Sequence, residues 1–590
     1  MIEKNKIVVG NDIFDEFRKK DYYFVDKTRF ICDFIDDNDN ITLITRPRRF
    51  GKTLTMTMLR DFFSTELDRE YQKKLFNGMY IEKYGSSYMN MMGSKPVIFM
   101  TFKNMKSMSF SGFKERLYKA FSNPVRDFYD ISDHKRINKY DMEFLEMFLP
   151  RVYKPENYSD EFLFSSLDDF MQIMHKYYGL KPMVLIDEYD APVNASLNSP
   201  DNQQIIAGIR DFMGNGLKTN HHLDCALITG INRIAQESIF SVFNNPNIYD
   251  VTNDKYADIF GFTEDEVRDV LKYAGFEKDL DIVRKWYNGY SIGSQRVYNP
   301  ISVMKYCADR GEISAYWANT SSNDIIGKIA KNLSDDGVSS VARLIHGGTV
   351  TKHLCNNITV EDLADVKQSV FTVLLHAGYL TGRRLSSKKL DFEFCIPNEE
   401  IRSVFKREII QKLIPDFGET LQGKLNAAIV SGIDVEKNIN EILKRYVSFH
   451  DNIAKECAYH ALMLGIVLSL EDSYEIYSNI ESGYGRLDIC LAPRNTSKRG
   501  IIIELKHSEK DNMKRKAAEG YKQSISKEYQ TILNKKGIKD IKLYGIAFCD
   551  KTAVVCDNEA DMKNWLSSEK NTDVNNKDVA IQYIRSKGGR

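Results

Sequence analysis

Neither sign of charge is in excess in this chain. Lys plus Arg and Asp plus Glu each number 82, so the formal net charge is zero. The overall balance leaves no footprint for a polyanion, and any basic surface must be local. Clustered cysteine is missing as well. The nine cysteines stand singly from Cys32 to Cys556, with no CxxC pair. That argues against a disulfide framework and a structural zinc, and suits a reducing cytoplasm. The ten histidines form no HxH or HExxH pattern, which argues against a histidine-based metal site. Long apolar runs are absent. The segment Ala461–Leu470 falls far short of the ~20 residues that cross a bilayer, and is expected to be a buried helix. Met1-Ile-Glu-Lys-Asn-Lys-Ile lacks a secretory apolar stretch, so the expectation is a cytoplasmic protein with no membrane partner. Repeats and low-complexity linkers are likewise missing.

What is there is enough chain for several cores. At roughly 100–200 residues per domain, 590 residues imply three or four. Five β-like runs mark the first part: Ile41–Thr45, Pro96–Phe102, Met183–Asp187, Cys225–Gly230 and Asn247–Val251. Helical patterns separate them, which predicts an α/β domain over 1–255 with a mostly parallel sheet. Helical periodicity dominates 256–445, where Thr263 and Glu266 are spaced as a capping box. Within it, a helix-like Val366–His376 precedes Gly378-Tyr-Leu-Thr, a polar turn at Ser386, and Leu390-Asp-Phe-Glu-Phe. A helix leading into a hairpin fits a winged helix, and equally an αβ connector. From 446 to 590 a compact α/β pattern returns: a helix over Asn452–Leu470, strands at Tyr474–Ser478, Arg486–Leu491 and Ile501–Lys506, a charged helix over Asn512–Leu533, and strands at Leu543–Phe548 and Ala553–Cys556. The tail after Ser567 is polar.

Two places carry chemistry. The first run leads into Arg46-Pro-Arg-Arg-Phe-Gly-Lys-Thr53 and then a helical pattern. Strand, loop, Gly-Lys-Thr and helix form a triphosphate site in which backbone N–H groups face the phosphates. Lys52 would reach the β- and γ-phosphates and Thr53 would ligate Mg²⁺. Arg46 stands where the general GxxxxGK[ST] pattern has its first glycine. The strand Met183–Asp187 ends in paired acids: Asp187 would hold Mg²⁺ through water, and Glu188 would orient and deprotonate the attacking water. At the end of the fourth run, Thr229 or Asn232 would sense the γ-phosphate between the first and third strands. Arg233 is a candidate arginine finger, a role that requires a neighbouring copy of the chain and so a homo-oligomer.

The second place is Gly485-Arg-Leu-Asp488 followed by Gly500-Ile-Ile-Ile-Glu504-Leu-Lys506. Alternation along a strand puts Glu504 and Lys506 on one face. Asp488 ends a similar stretch in the preceding strand. Two carboxylates on neighbouring strands can hold one Mg²⁺, or Mn²⁺ in its place. Lys506 would position the attacking water and stabilise the developing oxyanion. Arg494, Lys498, Arg499, Lys510, Lys514, Arg515, Lys516 and Lys522 are nearby candidates for phosphate contacts.

Tyr23-Phe-Val-Asp-Lys-Thr, Arg46-Pro-Arg-Arg-Phe-Gly-Lys-Thr, Leu185-Ile-Asp-Glu-Tyr-Asp, Phe240-Ser-Val-Phe-Asn-Asn and Gly261-Phe-Thr-Glu-Asp-Glu-Val occur in order. With them the chain resembles the prokaryotic AAA-ATPase-like family, whose members typically carry a C-terminal PD-(D/E)XK nuclease domain. The resemblance implies a P-loop NTPase sheet, a helical lid and connector, and a restriction-endonuclease-like α/β domain. It makes the Arg-rich loop a family form and assigns Arg48, Arg49, Phe50, Gly51, Lys52 and Thr53 to ATP. Either the arginines touch phosphates or they pack against acidic neighbours. It also implies an element Asp26-Lys27-Thr28 near the nucleotide. Asp488, Glu504 and Lys506 match the nuclease motif, with Glu456 as an extra helix carboxylate for the metal and Gln523 as a polar helix residue. The implied activity is ATP binding and hydrolysis coupled to a Mg²⁺-dependent nuclease acting on DNA. The rival readings are a nucleotide-dependent switch whose nuclease-like domain binds without cutting, and a regulator that reads duplex DNA through the winged-helix-like segment.

Overall fold

The computed structural model describes residues 6–150, 158–197, 199–231, 246–317, 340–341, 343–345, 347–355, 370–385, 391–405, 418–446, 456–470, 472–482 and 485–567. The chain forms two compact units, Met1–Ser322 with Thr351–Ser403, and Asn323–Val350 with Val404–Arg590.

The first unit is built on five strands: β1 (Ile41–Thr45), β2 (Val97–Thr101), β3 (Met183–Asp187), β4 (Cys225–Gly230) and β5 (Asn247–Tyr249). They lie in the order β2-β3-β4-β1-β5 and every pair is parallel. All residues of β1, β3 and β4 are buried, as expected for strands covered on both faces. Register then fixes the site. Thr45 pairs with Gly230, Ile186 with Ile228, and Thr101 with Asp187. The ends of β1, β4 and β3 therefore form one row, with β4 between the other two.

Helix α1 (Lys52–Phe63) starts directly after Gly51, whose φ of 83° is one that glycine adopts without steric cost. It buries Met56, Met58, Leu59, Phe62 and Phe63. The expected capping box opens α2 (Glu264–Ala274): the Glu266 N–H donates to Thr263 Oγ1, and Glu266 Oε2 accepts from the Thr263 N–H. A short hairpin, Tyr290–Ile292 with Gln295–Val297, follows. The helix-and-hairpin segment is also present, as α3 (Val370–Ala377) and antiparallel strands Thr381–Arg384 and Asp391–Cys395. Its turn and residues 366–369 lie outside the described residues.

The second unit holds a mixed sheet of β6 (Tyr474–Ser482), β7 (Gly485–Pro493), β8 (Gly500–His507), β9 (Ile541–Cys549) and β10 (Thr552–Cys556), ordered as in the sequence. Only β8 and β9 run parallel. Helix α4 (Met513–Ser526) is their crossover and covers the sheet through Ala517 and Tyr521. The approach is close at Gly545, where a Cβ would stand 2.1 Å from the Ala517 carbonyl oxygen. The apolar run expected around Ala461–Leu470 is the helix Glu456–Leu468, with Leu462, Met463, Leu464, Ile466 and Val467 buried. Helices Gly418–Ser431 and Val435–Tyr446 also belong here. Tyr544 Oη donates to the Ile429 carbonyl at 2.8 Å, and Asn440 exchanges two 2.8 Å bonds with the Ala553 backbone. No helix among the described residues is long and apolar enough to cross a membrane.

Candidate active sites

The row of strand ends in the first unit brings three predicted residues together. Thr53 Oγ1 donates to Asp187 Oδ2 at 2.7 Å, and Thr229 Oγ1 donates to Asp187 Oδ1 at 2.5 Å. Asp187 is fully buried, and both of its oxygens are thereby held. Lys52 is buried and its ammonium donates to the carbonyls of Arg46 and Pro47, each at 2.9 Å. Burial pushes its pKa down, while Glu188, Asp187 and Asp190 oppose the shift. Glu188 follows in the left-handed region at φ 55°. Burial, and then Asp187 beside it, push its carboxyl above the usual range, as suits a group that takes a proton from water. Tyr189 and Asp190 close the corner: the Tyr189 N–H donates to the Thr229 carbonyl, and Asp190 accepts from the Ile231 N–H.

The loop tests whether a phosphate fits. None of the backbone N–H groups from Arg48 to Thr53 has a hydrogen-bond partner among the described residues. Backbone donors left open ahead of a helix start can face an anion. Arg46 plays another part. It is fully buried, and its guanidinium donates to the carbonyls of Thr45, Tyr249, Lys255 and Tyr256 over the ring of Phe260. Burial lowers its pKa to about 10. Arg46 caps backbone carbonyls, with Asp250 as an acidic neighbour whose charge opposes the effect of burial. Arg48 and Arg49 form no ion pair among the described residues, and Arg49 is exposed. The Phe50 ring is buried, which leaves only its backbone for a ligand.

Asp26, Lys27 and Thr28 act as a clamp. Asp26 and Thr28 accept the backbone N–H groups of Tyr80 and Ile81. The Lys27 ammonium reaches the Asp258 carbonyl at 2.6 Å and Glu266 at 2.6 Å. Asn232, Arg233 and the Phe240 motif lie outside the described residues.

In the second unit, β7 and β8 are antiparallel with Ile489 opposite Ile503, so the next pair outward is Asp488 and Glu504 on a shared face. Asp488 Oδ2 accepts the Leu505 N–H at 2.8 Å, and Lys506 Nζ donates to Glu504 Oε1 at 2.9 Å. Glu504 is 2% exposed and its Oε2 has no partner. A buried oxygen without a donor costs free energy that a cation would return, so the pair fits a divalent metal. Burial, then the Asp488 charge, push the Glu504 carboxyl up to about 7, against the pull of Lys506. Glu456 begins its helix, but its side chain lies outside those described. Among the described residues no group of three or more His, Cys, Asp or Glu side chains is placed to hold a metal.

Gln523 Nε2 donates to Tyr529 Oη at 3.0 Å. Tyr529 was not legible in the sequence, since a lone tyrosine past a helix end carries no spacing signal. It is 1% exposed, and its phenol is pushed up by burial and also by the Glu504 and Asp488 charges. It thus stands within electrostatic reach of both carboxylates. The basic residues divide. Arg494, Arg499, Arg515 and Lys516 pair with Glu475, Asp540 and Glu519, and Lys514 lies over Trp565. Lys498, Lys510 and Lys522 form no ion pair among the described residues.

Comparison with known proteins agrees with this geometry. Residues 8–240 match the family model described as predicted AAA-ATPase, and residues 454–558 match that of the PD-(D/E)XK nuclease superfamily. The chain is 23% identical over 517 residues to an uncharacterized protein in the vnfD 5′ region of Azotobacter chroococcum mcd 1, covering 83% of this chain and 87% of the relative. The two domains suggest an ATPase and a nuclease.

Proposed function

We propose that the chain binds and hydrolyses ATP with Mg²⁺ in its first unit, and that this gates a metal-dependent nuclease acting on DNA in the cytoplasm. The observation that carries the nuclease half is Glu504: a buried carboxylate with one oxygen on Lys506, the other open, and Asp488 opposite. Asp488 and Glu504 would hold the cation, with Glu456 as a further candidate ligand. A bound Mg²⁺ or Mn²⁺ offsets charge on the scissile phosphate and makes nearby water more acidic. Lys506 keeps the attacking water in line and neutralises charge on the phosphate oxygens. In the first unit, the open N–H groups of residues 48–53 and Lys52 would hold the phosphates. Lys52 would leave the Arg46 and Pro47 carbonyls to do so. Thr53 and Asp187 would hold Mg²⁺, Glu188 would take the proton from water, and Thr229 would sense the γ-phosphate through Asp187. The division of labour is 1–255 for ATP, 256–445 for lid and connector, and 446–590 for cleavage.

The test is cleavage of single-stranded, duplex and circular DNA with Mg²⁺ or Mn²⁺, with and without ATP. Asp488→Ala and Glu504→Ala should abolish cutting, and Lys52→Ala should change its dependence on ATP. Cutting that survives both carboxylate changes would overturn the nuclease reading. Cutting indifferent to ATP and to Lys52→Ala would overturn the gating.

A further inference from the structure

A phosphate loop rich in glycine adopts its shape at little steric cost. The loop of this chain has one glycine, Gly51, between residues 46 and 51. Arg49 nevertheless stands in the left-handed region at φ 70°. A side chain there costs on the order of 1–2 kcal/mol and persists only where the flanking residues are pinned. The pins come from elsewhere in the first unit. On one side, the Pro47 ring backs onto Gly378, where a Cβ would stand 2.7 Å from the proline Cβ. The Arg48 carbonyl accepts the Trp317 indole N–H at 3.2 Å. On the other side, the Phe50 ring meets Tyr290 edge-on at 5.1 Å. Trp317 is itself fixed. It is 1% exposed, its ring stands edge-to-face on Tyr379 at 4.8 Å, and its backbone N–H donates to Glu400 at 2.7 Å. Glu400 also accepts from Ser302 Oγ at 2.8 Å. Tyr290, Ser302, Trp317, Gly378, Tyr379 and Glu400 all lie beyond the 8–240 match.

We propose that Trp317 is a positioning residue for the nucleotide: its indole N–H holds the Arg48 carbonyl and so keeps the loop in the conformation whose backbone N–H groups receive the phosphates. This rests on the reading of the loop as a nucleotide site, and adds that the lid and connector region completes it. Arg49 lies between two anchors, Arg48 and Phe50. Releasing the first lets Arg49 relax to negative φ, which turns the adjoining peptides and disperses the row of open donors. Without the Trp317 bond the loop must recover its strained shape on each binding event, and affinity falls by the cost of doing so.

The experiment uses the full chain and a fluorescent ADP analogue with Mg²⁺. Trp317→Phe keeps an aromatic ring and removes the N–H. Its affinity should drop about tenfold, the factor carried by one positioned hydrogen bond, while Trp286→Phe binds as wild type does. Because the indole is buried, Trp317→Phe should also lower the unfolding midpoint; a merely structural tryptophan would move the midpoint and leave the affinity of the folded protein unchanged. A second measurement keeps the indole in place. In the Trp286→Phe, Trp565→Phe double variant, unlabelled MgADP should change Trp317 emission, saturating where the analogue saturates. Trp317→Phe binding within twofold of wild type, or Trp317 emission indifferent to MgADP that demonstrably binds, would overturn the proposal alone. Failure of the wild type to bind nucleotide would overturn the reading of the site, and this inference with it.

Discussion

Arg46 looks in the sequence like a defect in a phosphate loop, and in the fold it is a strut. Its guanidinium caps four carbonyls at the end of β1 and around residues 249–256. Restoring glycine should therefore harm the protein. Arg46→Gly is expected to destabilise by about 1–3 kcal/mol for each buried carbonyl left without a donor, seen as a lower unfolding midpoint and weaker nucleotide binding. A gain in either would refute the assignment. Glu504 gives a prediction in pH. Its pKa is raised from 4.5 to about 7, so a metal ion must displace a proton below neutrality. Mn²⁺ affinity measured by calorimetry should rise about tenfold per pH unit up to about 7 and then level. Metal-free stability has the opposite sign. The folded state keeps a proton that the unfolded chain releases, so the contribution of Glu504 is full below pH 4.5 and is lost as pH rises through about 7. A profile set by some other group would survive Glu504→Gln. Lys52, Thr53, Asp187, Asp488, Glu504 and Lys506 could be picked out as candidates from the sequence because short local patterns mark them: Gly-Lys-Thr before a helix, an acid at the end of an apolar strand, and Glu-Leu-Lys in a strand after Arg-Leu-Asp. Trp317 and Glu400 could not, because the residues they hold are far away in the chain, and no local pattern marks Tyr529.

At the scale of elements, Asp26-Lys27-Thr28 ties the N-terminal segment to α2. Lys27 is partly buried and answers Glu266, the same carboxylate that closes the α2 capping box. One glutamate thus serves two ends. Lys27→Met should destabilise this region by about 1–3 kcal/mol. Hydrogen exchange should quicken across Glu264–Ala274 while β1, β3 and β4 stay protected; unchanged exchange in α2 would show that the clamp bears no load. The strands were the most legible elements. β1, β3 and β4 match their expected runs residue for residue, because a strand buried on both faces is mostly apolar, its few polar groups being threonines or the acid at its end. The order of strands was legible only in part. A sensor at the end of the fourth run was expected between the first and third strands, and β4 does separate β1 from β3; the edge places of β2 and β5 depend on crossovers, which sequence periodicity does not mark. The charged helix expected over Asn512–Leu533 ends at Ser526. Tyr529 and Leu533 then turn inward, which an exposed helix pattern does not reveal.

At the scale of the whole molecule, the chain passes from one unit to the other and back before returning to finish the second. Helices Gly418–Ser431 and Val435–Tyr446 contribute bonds to β9 and β10. A fragment that starts at 446 leaves the Tyr544 hydroxyl and the Ala553 backbone without these partners. Expressed alone, 404–590 should unfold at a clearly higher temperature than 446–590. Equal midpoints would show that the two helices add nothing to the second unit.

The loop that begins at Arg46 has a history in time as well as in space. Its supports at Trp317 and Gly378 emerge from the ribosome some 270 to 330 residues later. At roughly 5–20 residues per second, the nascent chain spends on the order of 15 to 60 seconds with its Gly-Lys-Thr segment exposed and its shape not yet set. On the proposed role of the loop, occupancy by nucleotide would then mark a chain whose synthesis has passed Gly378.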